Sequence, residues 1–334
     1  MKSGSAAGIV STGKALPVAK ITNADLELIV DTNDEWIKTR SGIEERRIIT
    51  GDETASGLSA KASRIALERA GISPAELDLI IVATVTPDQI LPSTACLVQD
   101  KLGAVNAAAF DLVAGCTGFL YGFDVATRYI NSGAARHILL VGVDTLSPIV
   151  DWQDRNTCVL FGDGAGAVVI SAVEEGSGVL ASKMFSDGTK ANLLYVPAGG
   201  STRPATHQTV AERGHYIKME GQEVFKFAVT VMVDSLLEVL ALAGKTAADL
   251  DILAPHQANI RIINFACKRL KLQPEQVLVN IHRYGNMSSA AIPVALDEAV
   301  EEGKLKAGQL VGLVSFGAGL TWGASVMKWS EVGK

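Results

Sequence analysis

Two hydrophobic periods alternate along the chain. Short apolar runs of strand length are separated by longer stretches in which apolar residues return every three or four positions. Residues 5–12 read as an opening strand and residues 79–84 as a later one. Between them, Thr22-Asn23-Ala24-Asp25 has the form of a helix start leading to Leu26, Leu28 and Ile29. Thr32 or Asn33 can cap a short helix that carries Trp36 and, one turn on, Arg40. Residues 60–70 read as a helix closed by Gly71. Residues 110–119 read as the end of a buried strand, a glycine-flanked corner and a new helix. That helix is predicted over 118–130, with Phe119, Leu120, Phe123, Ala126 and Ile130 on one face and Asn131-Ser132-Gly133 as its stop. Residues 277–281 read as a further strand. Residues 259–272 read as an amphipathic helix, with Ile262, Ile263, Ala266 and Leu270 on one side and Arg261 and Lys268 on the other.

The pattern repeats. Gly71 leads through Asp78 into one strand, and Gly244 leads at the same spacing through Asp251 into Ile252-Leu253-Ala254. Phe161-Gly162-Asp163-Gly164-Ala165-Gly166-Ala167 opens into a β-branched run, and Phe316-Gly317-Ala318-Gly319 leads into another. Two matched landmarks in the same order indicate a duplicated α/β unit, with halves at 1–175 and 176–334. Alternating helices and strands predict mostly parallel sheets covered by helices. Gly162-Asp163-Gly164 looks like part of a dinucleotide fingerprint, but a strand pattern follows it where a helix is required. It reads as a glycine-rich hairpin.

Composition narrows the class. The chain has 334 residues, 48% of them hydrophobic, and a formal charge of −6. It is long enough to bury a large core without staples. Its acidic balance argues against a nucleic-acid partner. The four cysteines, Cys96, Cys116, Cys158 and Cys267, form no C-x-x-C pair, so neither a zinc site nor a disulfide framework is expected. No apolar run is long enough to span a bilayer, and no secretion signal is read, so a cytoplasmic location is expected.

The chemistry centres on Cys116. A thiol at a strand-to-helix corner, flanked by Gly115 and Gly118, lies where helix N–H groups favour an anion and lower its pKa. It reads either as a nucleophile or as a buried structural cysteine. His256, in Pro255-His256-Gln257-Ala258-Asn259, and Asn286, in Tyr284-Gly285-Asn286, follow predicted strand ends, where ligand crevices form. His282 reads as structural. Cys, His and Asn allow two chemistries. The histidine can be a base for the thiol, as in papain-like peptidases. Alternatively the histidine and asparagine are neutral donors to an enolate oxygen, each worth about 3 kcal/mol at the transition state. Trp36 with Arg40 reads either as a packed indole beside a solvated cation or as a platform for an aromatic ring and an anion.

Taken together, Gly115-Cys116-Thr117-Gly118, Pro255-His256-Gln257-Ala258-Asn259, Tyr284-Gly285-Asn286 and Phe316-Gly317-Ala318-Gly319 resemble the β-ketoacyl-acyl carrier protein synthase III family. Trp36, Thr39-Arg40-Ser41-Gly42-Ile43, Arg46-Arg47 and the Phe161–Ala167 segment add to the likeness, which spans the whole chain. The resemblance implies a thiolase-like α/β fold of five layers, α-β-α-β-α, with mixed sheets. It implies that Cys116 takes a short acyl group from CoA, with the backbone N–H groups of Cys116 and Ala318 as oxyanion hole. His256 and Asn286 would then hold the enolate that malonyl-acyl carrier protein leaves on losing carbon dioxide. Thr32, Trp36, Arg40, Arg155 and Asn259 would bind CoA, and Phe225 and Phe316 would line the entrance. Leu91 would reach across a homodimer to the partner's acyl pocket, which favours a short primer. Neither a cofactor nor a metal is implied. The basic face of the helix after His256 is a solvated surface or a dock for the carrier protein, made by Lys226, Gln257, Arg261, Lys268 and Arg269. The rivals are a condensing enzyme of secondary metabolism and a Cys-His-Asn thioester hydrolase.

Overall fold

The computed structural model describes residues 6–331. Ser5, the first residue of the expected opening strand, lies outside them, and that strand runs Ala6–Ala15. One sheet has the spatial order Ala6–Ala15, Asp163–Val173, His137–Thr145, Leu79–Ala83, Ala108–Leu112. A second large sheet has the order Ile252–Pro255, Leu310–Gly317, Thr321–Lys328, Gly178–Ser186.

Side-chain alternation explains how the layers stack. Leu79 and Ile81 face inward with Ile138, Leu140, Val168 and Ile170, while Ile80 and Val82 face outward with Leu139, Val141 and Val169. The inward set packs on helices Gly118–Asn131 and Ala291–Glu301, which also meet Ile252, Ala254, Val311 and Leu313 of the second sheet. The outward set is covered by Ala55–Ala70 and Thr94–Leu102. The far face of the second sheet is covered by Gly221–Leu242 and Ile260–Leu270. The result is five layers, helix–sheet–helix–sheet–helix, with the central helix pair shared by both cores.

Several expectations need correction. The sheets are mixed rather than mostly parallel. Leu79–Ala83 pairs parallel with both neighbours, whereas Asp163–Val173 and Thr321–Lys328 run antiparallel to theirs. The chain reaches these two strands by turning back from its neighbour rather than through a crossover helix. Residues 277–281 make only one bridge, Leu253 to Val277, before the helical turn Ile281–Tyr284. Their ladder is diverted, because Gln257 Oε1 accepts the N–H groups of Asn280 and Ile281 at 3.1 and 3.2 Å. The helix expected over 60–70 begins five residues earlier, capped by Thr54 Oγ1, which accepts from Gly57 N at 3.1 Å. Gly162-Asp163-Gly164 enters a strand, as the fingerprint's rejection required.

One buried ion cluster crosses the fold. Asp297, fully buried on Ala291–Glu301, accepts from Thr12 Oγ1 at 2.7 Å and pairs with Lys14 at 2.9 Å and Arg69 at 2.6 Å. Both cations also reach the more exposed Glu301. Removing the carboxylate strands two half-covered cations and a hydroxyl. Asp297→Ala is expected to lower unfolding free energy by about 3 kcal/mol, the lower end for a broken buried pair because Glu301 remains. Urea denaturation measures this, and a loss under about 1 kcal/mol would show the cluster to be dispensable.

Candidate active site

Strand Ala108–Leu112 ends at a sharp corner. Gly115 takes φ +57, and the turn Gly115–Thr117 leads directly into helix Gly118–Asn131. A side chain at Gly115 would meet Ala318 N at 2.8 Å, and one at Gly317 would meet Cys116 N at 2.6 Å. The corner and the hairpin turn after Leu310–Gly317 therefore touch backbone to backbone. Ser315 Oγ donates to Cys116 O at 2.8 Å, and Thr321 Oγ1 donates to Ala114 O at 2.9 Å. These bonds fix Cys116 against the second half of the chain.

Cys116, His256 and Asn286 line one cavity of about 80 Å³, together with Phe225, Asn259 and Phe316. His256 continues strand Ile252–Pro255, its N–H bonded to Val314 O at 2.8 Å. Its ring is buried, stands edge-on to Phe316 with centroids 5.6 Å apart, and has no partner at either nitrogen among the described residues. Asn286 is held by a backbone bridge in which its N–H meets Leu160 O at 2.8 Å and its C=O accepts from Gly162 N at 3.0 Å. Asn286 Oδ1 accepts from Ser288 N at 2.8 Å. Only the oxygen can accept there, so Nδ2 is the end the amide offers to the cavity.

Burial sets the charge states. It pushes the Cys116 thiol up, to about 12; the Ser288 hydroxyl and the residue's own amide pull it back, and the Asp144 carboxylate adds to the rise. The sequence argument expected a lowering from the helix end. Burial outweighs any such lowering, and the thiol is protonated. Burial also lowers His256 from 6.5 to about 3, so its imidazole is neutral at ordinary pH.

Two spaces open from Cys116. One, of about 180 Å³, is a mainly apolar cavity lined by Val85, Leu146, Ile149, Leu194, Tyr195 and Ile217 among others, with Ala318 beside Cys116. The other leads outward past Phe225 and Asn259 into a cavity of about 910 Å³ lined by Trp36, Arg40, Lys226 and Arg261. The guanidinium groups of Arg40 and Arg155 lie 4.8 and 5.1 Å from the Trp36 ring centroid. Thr32 and Arg155 line none of these three cavities; Arg155 stacks on Trp36 and donates to Asp31 O at 2.9 Å. Asn259 caps helix Ile260–Leu270 and donates Nδ2 to Arg40 O at 2.9 Å. Leu91 is 82% exposed and lines neither of the two cavities at Cys116.

The basic residues sort unevenly. Arg261 lies over Phe225 at 5.2 Å, Lys226 pairs with Glu223 at 2.6 Å, and Arg269 approaches Asp234 at 4.0 Å; Lys268 is exposed. Gln257 is a correction, since it cannot dock a partner. It is fully buried, donating Nε2 to Pro255 O and Leu278 O, both at 2.9 Å, while its oxygen takes the Asn280 and Ile281 N–H groups. Sequence reasoning missed Ser288 and the cavity walls at Leu194, Tyr195 and Ile217. Ser288 lies two residues past the Tyr284-Gly285-Asn286 motif, but the walls belong to a stretch without periodicity. Among the described residues no helix is long and apolar enough to cross a membrane, and no group of three or more His, Cys, Asp or Glu could hold a metal ion.

The neutral histidine has a measurable consequence. The unfolded chain binds a proton at His256 near pH 6.5, and the folded chain not until about 3. Acid therefore favours unfolding. This contribution is present above about 6.5 and is lost as pH falls, at about 1.4 kcal/mol per pH unit. His256→Asn is expected to flatten the stability-versus-pH curve between about pH 6 and 4.5 by one proton's slope, read from urea midpoints. Parallel curves for variant and wild type would mean that the ring is charged in the folded state.

Comparison with known proteins bears on the same site. The family profile described as 3-oxoacyl-[acyl-carrier-protein (ACP)] synthase III matches residues 110–188, and its C-terminal counterpart matches residues 240–329. A protein of Caldanaerobacter subterraneus subsp. tengcongensis named beta-ketoacyl-[acyl-carrier-protein] synthase III is 56% identical over 98% of both chains. The crystal structure of 3-oxoacyl-[acyl-carrier-protein] synthase III from Aquifex aeolicus VF5 superposes with a TM-score of 0.90 at 47% identity, covering 97% of this chain and 100% of that one. The priming β-ketosynthase of the R1128 polyketide pathway superposes with a TM-score of 0.91 at 34% identity, covering 98% and 97%.

Proposed function

The chain belongs to the 3-oxoacyl-[acyl-carrier-protein] synthase III family, and from that premise we propose that it condenses a short acyl-CoA with malonyl-acyl carrier protein, with loss of carbon dioxide, to start fatty-acid synthesis. The observation that carries this reading is the single cavity shared by Cys116, His256 and Asn286, at the inner end of a passage that begins at Trp36 and Arg40.

In this reading Cys116 Sγ bonds to the acyl carbonyl carbon, the bond to the CoA sulfur breaks, and the thiol proton leaves on CoA. The backbone N–H groups of Cys116 and Ala318 face the carbonyl oxygen, and the acyl tail enters the apolar cavity. CoA lies with its adenine against Trp36 and its phosphates near Arg40 and Arg155, with Thr32 and Asn259 alongside. Malonyl carrier protein then enters past Phe225 and Phe316. Its carboxylate carbon departs as carbon dioxide and leaves an enolate whose oxygen faces His256 and Asn286. The enolate carbon attacks the acyl carbon, and Cys116 departs as thiolate and is reprotonated. The 3-oxoacyl group stays on the carrier. A neutral imidazole suits donation, whereas a ring that gains a proton only near pH 3 is a poor base, which weighs against the hydrolase reading. The greater likeness to the Caldanaerobacter relative than to the polyketide priming enzyme favours the fatty-acid pathway.

The enzyme works as a cytoplasmic homodimer in which each Leu91 closes the partner's acyl pocket. It needs no metal or cofactor besides its thioester substrates. Its halves divide near residue 175, the first bearing the nucleophile and the second the two donors. Arg261, Lys226, Lys268 and Arg269 receive the acidic carrier protein.

Two experiments test this. His256→Ala and Asn286→Ala are each expected to slow carbon dioxide release from malonyl carrier protein by about 100-fold. Acetylation of Cys116 by acetyl-CoA, followed by mass spectrometry, should fall by less than about tenfold, because it leaves the enolate donors unused. An acylation loss as large as the decarboxylation loss would remove the donor assignment. Arg261→Glu is expected to raise the KM for malonyl carrier protein by about tenfold or more while acetyl-CoA loading changes little. Equal loss in both half-reactions would place Arg261 at the CoA site instead.

A further inference from the structure

Strand His137–Thr145 is an apolar run with one carboxylate near its end, Asp144, which is fully buried. The proposed chemistry does not use it. Its oxygens are nonetheless filled with donors. Oδ1 accepts from Val85 N at 2.7 Å and from the hydroxyls of Thr84 and Thr86 at 3.1 and 3.0 Å. Oδ2 accepts from Ser289 N at 3.1 Å and from Ser289 Oγ at 2.8 Å. One carboxylate thus joins two turns that lie far apart in the chain, and each leads to the site. Val85 lines the acyl cavity beside Cys116. Ser289 follows Ser288, whose N–H orients Asn286 and whose hydroxyl acts on the Cys116 thiol. Ser288 sits at φ +50, a left-handed conformation that a non-glycine residue keeps only when its surroundings impose it. The neighbouring bond from Ser289 N to Asp144 is one such constraint.

We propose that Asp144 is a positioning residue: its carboxylate clamps the Asn286–Ser289 turn to the Thr84–Thr86 turn and so sets the Asn286 amide and the Val85 wall relative to Cys116. The inference rests on the reading of Asn286 as an enolate donor. An asparagine at 144 keeps the shape but has one acceptor end. Its NH₂ must then face either the Val85 or the Ser289 N–H, and one turn loses its tether. Burial raises the Asp144 carboxyl above its usual range, the Val85, Ser288 and Ser289 donors pull it back, and its ionised form raises the thiol. His256, the other titratable group on the cavity, is neutral.

The test compares full-length wild type, Asp144→Asn and Ser289→Ala. Three quantities are read: acetylation of Cys116 by acetyl-CoA, carbon dioxide release from malonyl carrier protein, and the pH midpoint of Cys116 alkylation by iodoacetamide. Asp144→Asn is expected to slow carbon dioxide release by about tenfold or more, the scale of a lost buried hydrogen bond. Acetylation should fall less, and the alkylation midpoint should move to lower pH as the nearby charge is removed. Ser289→Ala, which keeps the carboxylate, should slow carbon dioxide release in the same direction by less and leave the midpoint in place. Release within about twofold of wild type in Asp144→Asn, or equal losses in both half-reactions with an unmoved midpoint, would overturn the inference. If Asp144→Asn does not fold, Ser289→Ala decides by the same comparison of half-reactions. A wild-type enzyme that releases no carbon dioxide would overturn the parent reading instead.

Discussion

Gly115 faces the backbone of Ala318, and Gly317 faces that of Cys116, where the two halves of the chain meet, and neither position has room for a side chain. That contact sets the distance between the strand-to-helix corner of one half and the hairpin turn of the other. The candidate site is built outward from it. Cys116 follows Gly115, and Phe316, which packs edge-on against His256, precedes Gly317. The bonds from Ser315 and Thr321 to the corner carbonyls leave no freedom for the two turns to slide. The central helix pair makes the contact possible, because Gly118–Asn131 and Ala291–Glu301 are buried by both sheets at once and hold them at one spacing.

Charge is sorted along the passage. The cations Arg40, Lys226 and Arg261 line the outer cavity, and none lines the inner one. Inside, the thiol is raised and the imidazole lowered by the same burial, so both are neutral. A malonyl carboxylate brought inside would find no cation to pair with, a poor setting for that charge. The enolate oxygen left by its departure would meet the ring N–H of His256 and the amide of Asn286. In the proposed reaction the interior thus disfavours the charge that is lost and favours the charge that forms. The phosphates of CoA would keep to the outer cavity, beside Arg40.

Much of this was legible in the sequence because it depended on local pattern. The helix after Cys116 ends at Asn131, within a residue of the predicted stop, since glycine corners and apolar spacing are read over a few positions. The duplication was visible for the same reason. What was not legible depended on distant partners. Gln257 stands beside His256 in the chain and looked like part of a surface, yet the strand end folds it under the 278–281 segment. Residues 277–281 have a strand's composition, but Gln257 takes the N–H groups a ladder would have used. The walls of the apolar cavity at Leu194, Tyr195 and Ile217 come from short or irregular segments, where no period marks which side chains turn inward.

Gln257 and Asp144 then turn out to solve one problem twice. Each half must carry irregular loops at the C-terminal ends of its strands, inside the molecule, to build a site there. Backbone N–H groups in such loops have no ladder or helix to satisfy them, and leaving them unpaired is costly. In the second half the Gln257 oxygen takes those of Asn280 and Ile281. Asp144, at a strand end of the first half, takes those of Val85 and Ser289, the second reaching across to the other half. A buried polar side chain just past an apolar strand is therefore more than a tolerated exception to the core. It allows the next few residues to leave regular structure and still stay in place, and that lets His256, whose ring nitrogens have no partner among the described residues, and Asn286, whose side-chain oxygen is tethered, line one cavity with Cys116.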